Sequence, residues 1–137
     1  MNLSRFIEAQ GSIYADALAE LRNGQKRTHW IWFVLPQLRR LGHSSNATYY
    51  GIESAEEAAT YLAHPILGAR LRECVAALLA HKEKTAREIL GSPDDLKFRS
   101  CLTLFREVAP ADDRLWQDAL DQFFSGQPDD ATLRSLK

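Results

Sequence analysis

Apolar residues in this chain recur every three to four positions rather than every two, which constrains its fold more than any other feature. The clearest stripe is Leu67, Leu71, Cys74, Val75, Leu78 and Leu79, and at about 3.6 residues per turn these share one face of a helix. A second stripe runs Phe98, Cys101, Leu102, Phe105 and Val108. A third, Leu115, Trp116, Ala119, Leu120, Phe123 and Phe124, ends at Gly126. Near the start, Leu3, Phe6, Ile7, Tyr14, Leu18 and Leu21 close at Gly24, and the pattern leaves open whether Gly11-Ser12 divides them.

The punctuation agrees with this spacing. Ser54 to Glu57 and Thr85 to Glu88 have the spacing of a capping box, in which two otherwise unpaired amides are satisfied reciprocally. Ser92-Pro93-Asp94-Asp95 reads as cap, first-turn proline and carboxylates facing the helix dipole. Only Trp30 to Leu35 is rich in aromatic and β-branched residues, and one such run cannot make a sheet. It reads as a short buried helix stopped by Pro36. Helices are expected near residues 3–22, 28–35, 55–63, 66–82, 86–90, 93–108 and 113–125. The expected fold is therefore all-α, a compact single-domain bundle of about six to seven helices of unequal length over residues 1–137. A sheet of three or more strands would overturn it.

At 137 residues the chain is long enough for a hydrophobic core without cross-links. Its 17 basic and 18 acidic residues leave a net charge of −1, so no global field draws in nucleic acid or an anionic membrane, and neither partner is expected. The N-terminus lacks the apolar stretch of a signal peptide. The longest uncharged apolar run, Trp30 to Leu38, is broken by Pro36 and falls well short of the roughly 20 residues that cross a bilayer. A cytoplasmic domain is expected. Cys74 and Cys101 lie among aliphatic residues at helical spacing and read as free, buried thiols, although a count of two leaves one disulfide open.

The strong chemical motifs are missing. The chain has no Gly-rich phosphate loop, nucleophile elbow or paired-cysteine zinc pattern, so no cofactor is expected. His29, His43, His64 and His81 have no metal-ligand spacing to one another or to a carboxylate, and no metal site is expected. Asp94-Asp95, Asp112-Asp113 and Asp129-Asp130 each fall where a helix should start, which makes them caps and dipole partners.

Two stretches stand apart from this plain reading. Lys26-Arg27-Thr28-His29-Trp30-Ile31-Trp32-Phe33 puts cations, an imidazole and two indoles side by side. If it is helical, Lys26, His29, Trp30, Phe33 and Gln37 lie along one face. Cations beside aromatic faces suit an anionic or ring-bearing ligand; the plainer alternative is a solvated helix start followed by core. The helix over 93–108 is apolar on two sides, since Leu96 and Leu104 lie opposite Phe98 and Phe105, with Ser100 and Thr103 beside them. Those hydroxyls either bond back to the carbonyl four residues earlier or line a polar pocket with Asp95 and Lys97.

Three segments also carry a family resemblance. Lys26 to Leu38, Tyr61-Leu62-Ala63-His64-Pro65-Ile66-Leu67-Gly68-Ala69-Arg70-Leu71, and Asp94 to Phe105 resemble the signature blocks of domain-of-unknown-function family 1810, with Gly42, Ser44 and Tyr49-Tyr50 between blocks. The resemblance runs over nearly the whole chain and implies a mainly helical bacterial domain of unassigned function. The name calpastatin, which some members carry, does not suit this chain: that inhibitor is disordered and repetitive, whereas this sequence has core stripes and no repeat.

The functional expectation is one pocket for a small anionic or ring-bearing ligand. Its candidate residues are Lys26, His29, Trp30, Trp32, Gln37, Tyr50, His64, Asp95, Lys97, Ser100 and Thr103. Two alternatives stand beside it. One is an enzyme using His29 or His64 as acid–base with Asp95 orienting it. The other is a protein-interaction module whose aromatic cluster is exposed. A single pocket requires the 26–32 segment and the 93–108 helix to meet in space.

Overall fold

The structure, a computed structural model, describes residues 2–137. Among them are ten α-helices and no strand: α1 Ser4–Gly11, α2 Tyr14–Arg22, α3 Ile31–Val34, α4 Ser45–Tyr50, α5 Ala55–Ala63, α6 Leu67–Leu79, α7 Ala86–Leu90, α8 Asp94–Val108, α9 Leu115–Phe124 and α10 Asp130–Ser135. The all-α expectation agrees with this; the count of six to seven does not. The first expected helix is two, parted at Ser12 and Ile13. The short helices α4 and α10 have too few apolar positions to leave a stripe. The expected helix over 28–35 shrinks to Ile31–Val34, for a reason given below. No helix among the described residues is long and apolar enough to cross a membrane.

Helix α8 sits at the centre. Ser100 to Phe105 are buried without interruption, so this stretch is enclosed on every side, and the helix packs against α5, α7, α9 and α10. Aromatic contacts tie these layers together: Phe6 meets Tyr61 edge-on at 5.0 Å, Tyr61 lies 5.5 Å from Phe105, and Phe105 lies 5.7 Å from Trp116. Each such pair adds about 0.5–1.5 kcal/mol beyond its buried area. The buried Gln10 amide donates to the Phe33 carbonyl at 2.6 Å and to the Tyr61 hydroxyl at 3.1 Å, joining α1 to α3 and α5. Cys74 and Cys101 are buried free thiols, and burial pushes Cys74 up to about 12, where it stays an inert SH.

Leu38 and Ile52 form a parallel β-bridge, with the Ile52 amide on the Gln37 carbonyl and the Arg39 amide on the Ile52 carbonyl, both at 2.9 Å. The bridge needs a glycine beside it. A Cβ on Gly51 would sit 2.2 Å from the Arg39 Cα, so the two backbones could not approach.

The aspartate pairs behave less uniformly than expected. Asp129 caps α10, accepting from the Thr132 amide at 2.9 Å and its hydroxyl at 2.6 Å. Thr85 and Glu88 close a full capping box. Glu57 departs from the pattern by returning its carboxylate to the Glu53 amide rather than to Ser54. Asp113 accepts weakly from the Leu115 amide and chiefly holds the Trp116 indole at 3.1 Å and Arg72 at 2.7 Å, while Asp112 is exposed. Pro93, not Ser92, occupies the cap position of α8, and no side chain bonds to that helix start. Asp94 is engaged elsewhere.

Between α2 and α3 one carboxylate dictates the path. Glu20 accepts from the Arg27 amide at 2.7 Å, the Thr28 amide at 3.0 Å, the Thr28 hydroxyl at 2.7 Å and the Trp30 indole at 2.9 Å. These bonds tie the backbone at Arg27 and Thr28 and the side chains of Thr28 and Trp30 back to α2, and the chain becomes helical only at Ile31. Burial disfavours the Glu20 charge, but these donors outweigh it and hold its carboxyl at about 2, below the ordinary 4.5.

Two consequences can be measured by urea unfolding. Asp113→Ala leaves the buried Trp116 indole without its acceptor and should cost about 1–3 kcal/mol, whereas Asp112→Ala should stay within about 0.5 kcal/mol. Glu20→Gln should destabilise the protein at neutral pH. Because the folded carboxyl is depressed, its contribution is present above about 4.5 and disappears as the pH falls toward 2. The gap between wild type and Glu20→Gln should therefore narrow over that window; a constant gap would contradict the assignment.

Candidate functional site

The irregular 26–30 segment is pinned against the end of α7 by the Lys26 amide, which donates to the Ile89 carbonyl at 2.7 Å. Gly91 ends α7 with φ at +79°, a left-handed conformation that other residues rarely adopt, and the chain turns through Ser92 and Pro93 into α8. The exposed first turn of α8 thus faces Lys26 to Trp32.

At this junction Asp94 receives two ammonium groups. Lys26 Nζ lies 3.0 Å from Asp94 Oδ2, and Lys97 Nζ lies 3.6 Å from Asp94 Oδ1. Lys26 is nearly enclosed, its side chain 6% exposed. It also donates to the Thr28 carbonyl at 2.6 Å and stands 4.9 Å from the Trp30 ring centroid. Lys97 stands 5.2 Å from the Trp32 ring centroid. Contacts of this kind contribute about 0.5–2 kcal/mol each, more as water is excluded.

Around this pair opens a cavity of about 410 Å³, lined by Lys26, Arg27, His29, Trp32, Leu90, Ser92, Pro93, Asp94 and Lys97. A second cavity, of about 670 Å³, lies on the other side of Lys97 and Pro93 and is lined by Gln37, Leu41, Ala47, Leu96 and Ser100 among others. Both are of the size that takes small molecules.

Of the residues proposed from sequence, Lys26, His29, Trp32 and Lys97 therefore meet at one cavity, and Gln37 and Ser100 line its neighbour. The shared helical face expected for Lys26, His29 and Trp30 does not form, because Glu20 holds that segment irregular. Trp30 is fully buried behind the site. Tyr50, His64, Asp95 and Thr103 line neither of these cavities. Tyr50 packs on Phe33 at 5.1 Å. His64 Nδ1 accepts from the Ile66 and Leu67 amides at the start of α6, a structural task. Asp95 Oδ1 is buried and has no hydrogen-bond partner among the described residues. Both hydroxyls of α8 bond back one turn, Ser100 to the Leu96 carbonyl at 3.2 Å and Thr103 to the Arg99 carbonyl at 2.8 Å. Thr103 also accepts from the Asp129 amide, so it anchors the approach to α10.

Sequence reasoning missed Asp94 and Glu20 as the residues that organise the site. Asp94 was hidden by its place in a helix-start pattern. Glu20 carried no sequence mark at all, since its partners lie one loop away. The chemistry of the small cavity is cationic: Lys26, Arg27 and Lys97 face a single carboxylate among its lining residues. Asp94→Asn should strand the enclosed Lys26 ammonium and cost about 3 kcal/mol, the scale seen when one partner of a buried pair is removed. Thermal or urea unfolding measures this directly.

Comparisons with known proteins locate the chain. No curated protein matches it. The crystal structure of the conserved hypothetical protein Rv1873 from Mycobacterium tuberculosis is similar to it, with 44% identity and a TM-score of 0.95 over 98% of this chain and 95% of that one. The model of the family described as Protein of unknown function (DUF1810) matches residues 1–136, so the chain belongs to that family.

Proposed function

We propose that the cleft between residues 26–32 and the first turn of α8 binds a small anionic ligand, with Trp32 offering it a ring face. One observation carries this reading: Lys26, Arg27 and Lys97 line a single cavity against one carboxylate, Asp94. In a partly enclosed site one carboxylate offsets one of the three cations, and an anion would offset part of the remainder. His29, exposed at the rim, adds a further hydrogen-bond donor. Neither alternative has comparable support. A catalytic reading lacks an oriented base, since His29 has no carboxylate partner among the described residues and His64 is engaged at the α6 start. An aromatic interface would need exposed indoles, but Trp30 is fully buried and the large exposed apolar residues are Tyr49, Ile66 and Leu96.

Inorganic phosphate and pyrophosphate, titrated calorimetrically at low ionic strength, test the proposal. Binding should weaken at least tenfold in Lys97→Gln and fall as salt rises. Phosphate should also raise the melting temperature of Asp94→Asn more than that of wild type, because the anion replaces the lost carboxylate beside Lys26. No binding to wild type at millimolar anion would sink the reading.

A further inference from the structure

The two cavities are not separate features. Pro93 and Lys97 line both, so the first turn of α8 forms a low wall between a cationic compartment of about 410 Å³ and a broader one of about 670 Å³. Their linings differ in kind. The broader compartment is lined by Leu41, Ala47, Pro93 and Leu96, and Leu96 is a large apolar side chain left 56% exposed. Besides the shared Lys97, its charged residues are engaged elsewhere: Arg99 Nε donates to the Gln127 carbonyl at 2.8 Å, and Asp129 caps α10. Two polar groups at its edge are free. The Gln37 carboxamide and the His43 imidazole have no side-chain hydrogen-bond partner among the described residues, although the Gln37 backbone is fixed by the bridge to Ile52.

An inorganic oxyanion alone matches only half of this arrangement. It replaces a few waters of about 30 Å³ each and leaves the apolar floor and the Gln37 amide unused. Resting on the anion-binding reading above, we infer that the ligand is a ring-bearing phosphomonoester, of the class of a nucleoside monophosphate. Its phosphate lies with Lys26 and Lys97, and its ring body crosses the Lys97–Pro93 wall onto Leu96 and Leu41. The geometry supports this division of labour. Lys97 is shared by both compartments, so one ammonium can pair with the phosphate while its methylene stem covers the ring body. A carboxamide both donates and accepts, and it can pair with a heterocycle edge in two hydrogen bonds.

The experiment compares three probes by calorimetry and by quenching of tryptophan fluorescence, with Trp32→Phe assigning the quench. The probes are inorganic phosphate, adenosine and adenosine monophosphate. The monophosphate should bind at least tenfold more tightly than phosphate or adenosine. Lys97→Gln should bring it down to the level of adenosine. Gln37→Ala should weaken the monophosphate about fivefold and leave phosphate unchanged. Equal affinity for phosphate and the monophosphate would overturn the two-compartment inference while leaving the anion site standing. Equal affinity for adenosine and the monophosphate would overturn the placement of the phosphate on Lys26 and Lys97. Failure of all three probes to bind wild type would overturn both this inference and the reading it rests on.

Discussion

A helix whose residues from Ser100 to Phe105 are all buried has to be wrapped on every side, and most of this structure follows from how that is done. Helices α5, α7, α9 and α10 surround α8, and the Phe6–Tyr61–Phe105–Trp116 contacts run across the resulting core. Enclosure also decides the fate of the α8 hydroxyls. Ser100 and Thr103, both buried, turn back onto carbonyls of their own helix, where an unpaired hydroxyl would be costly. Both end turns escape this wrapping, and the two cavities lie at the first, Asp94 to Lys97.

The exposed turn is then shaped by charge. Lys26 can be as enclosed as it is only because Asp94, the Thr28 carbonyl and the Trp30 ring share its ammonium. Lys97 joins the same carboxylate more loosely and stands over Trp32. Asp94 is therefore divided between two cations and satisfies neither fully. That imbalance, rather than any single residue, distinguishes the cleft from the other ion pairs among the described residues. The exposed Arg22–Glu73 pair, for instance, is one cation with one anion in water and contributes little.

Both ends of the cleft depend on distant backbone constraints. Glu20 ties the Arg27 and Thr28 amides back to α2, and Lys26 and His29 project from that irregular segment. The Gln37–Ile52 hydrogen bond, made accessible by Gly51, fixes the backbone that carries the free carboxamide. The shape of the cleft thus depends on Glu20, Gly51 and Ile52, which do not themselves line it.

Local spacing was enough to specify the all-α class, the long helices α5, α6, α8 and α9, and the buried character of Cys74 and Cys101, because a 3.6-residue period and capping chemistry act within one turn. It also singled out Lys26, His29, Trp32 and Lys97, which carry an unusual concentration of charge and π surface. It could not show α4 and α10, which are too short to leave a stripe, nor the irregular run before Ile31, which depends on a carboxylate in the preceding helix. The roles of Tyr50, His64, Asp95 and Thr103 were equally out of reach, since a side chain's partner is chosen by what the fold places beside it. Sequence supplied the longer helices and four of the side chains that line the small cavity. Tertiary structure alone decided that Asp94 would stand between Lys26 and Lys97, because opposite charges far apart in the chain acquire a fixed geometry only when a packed core holds both segments still.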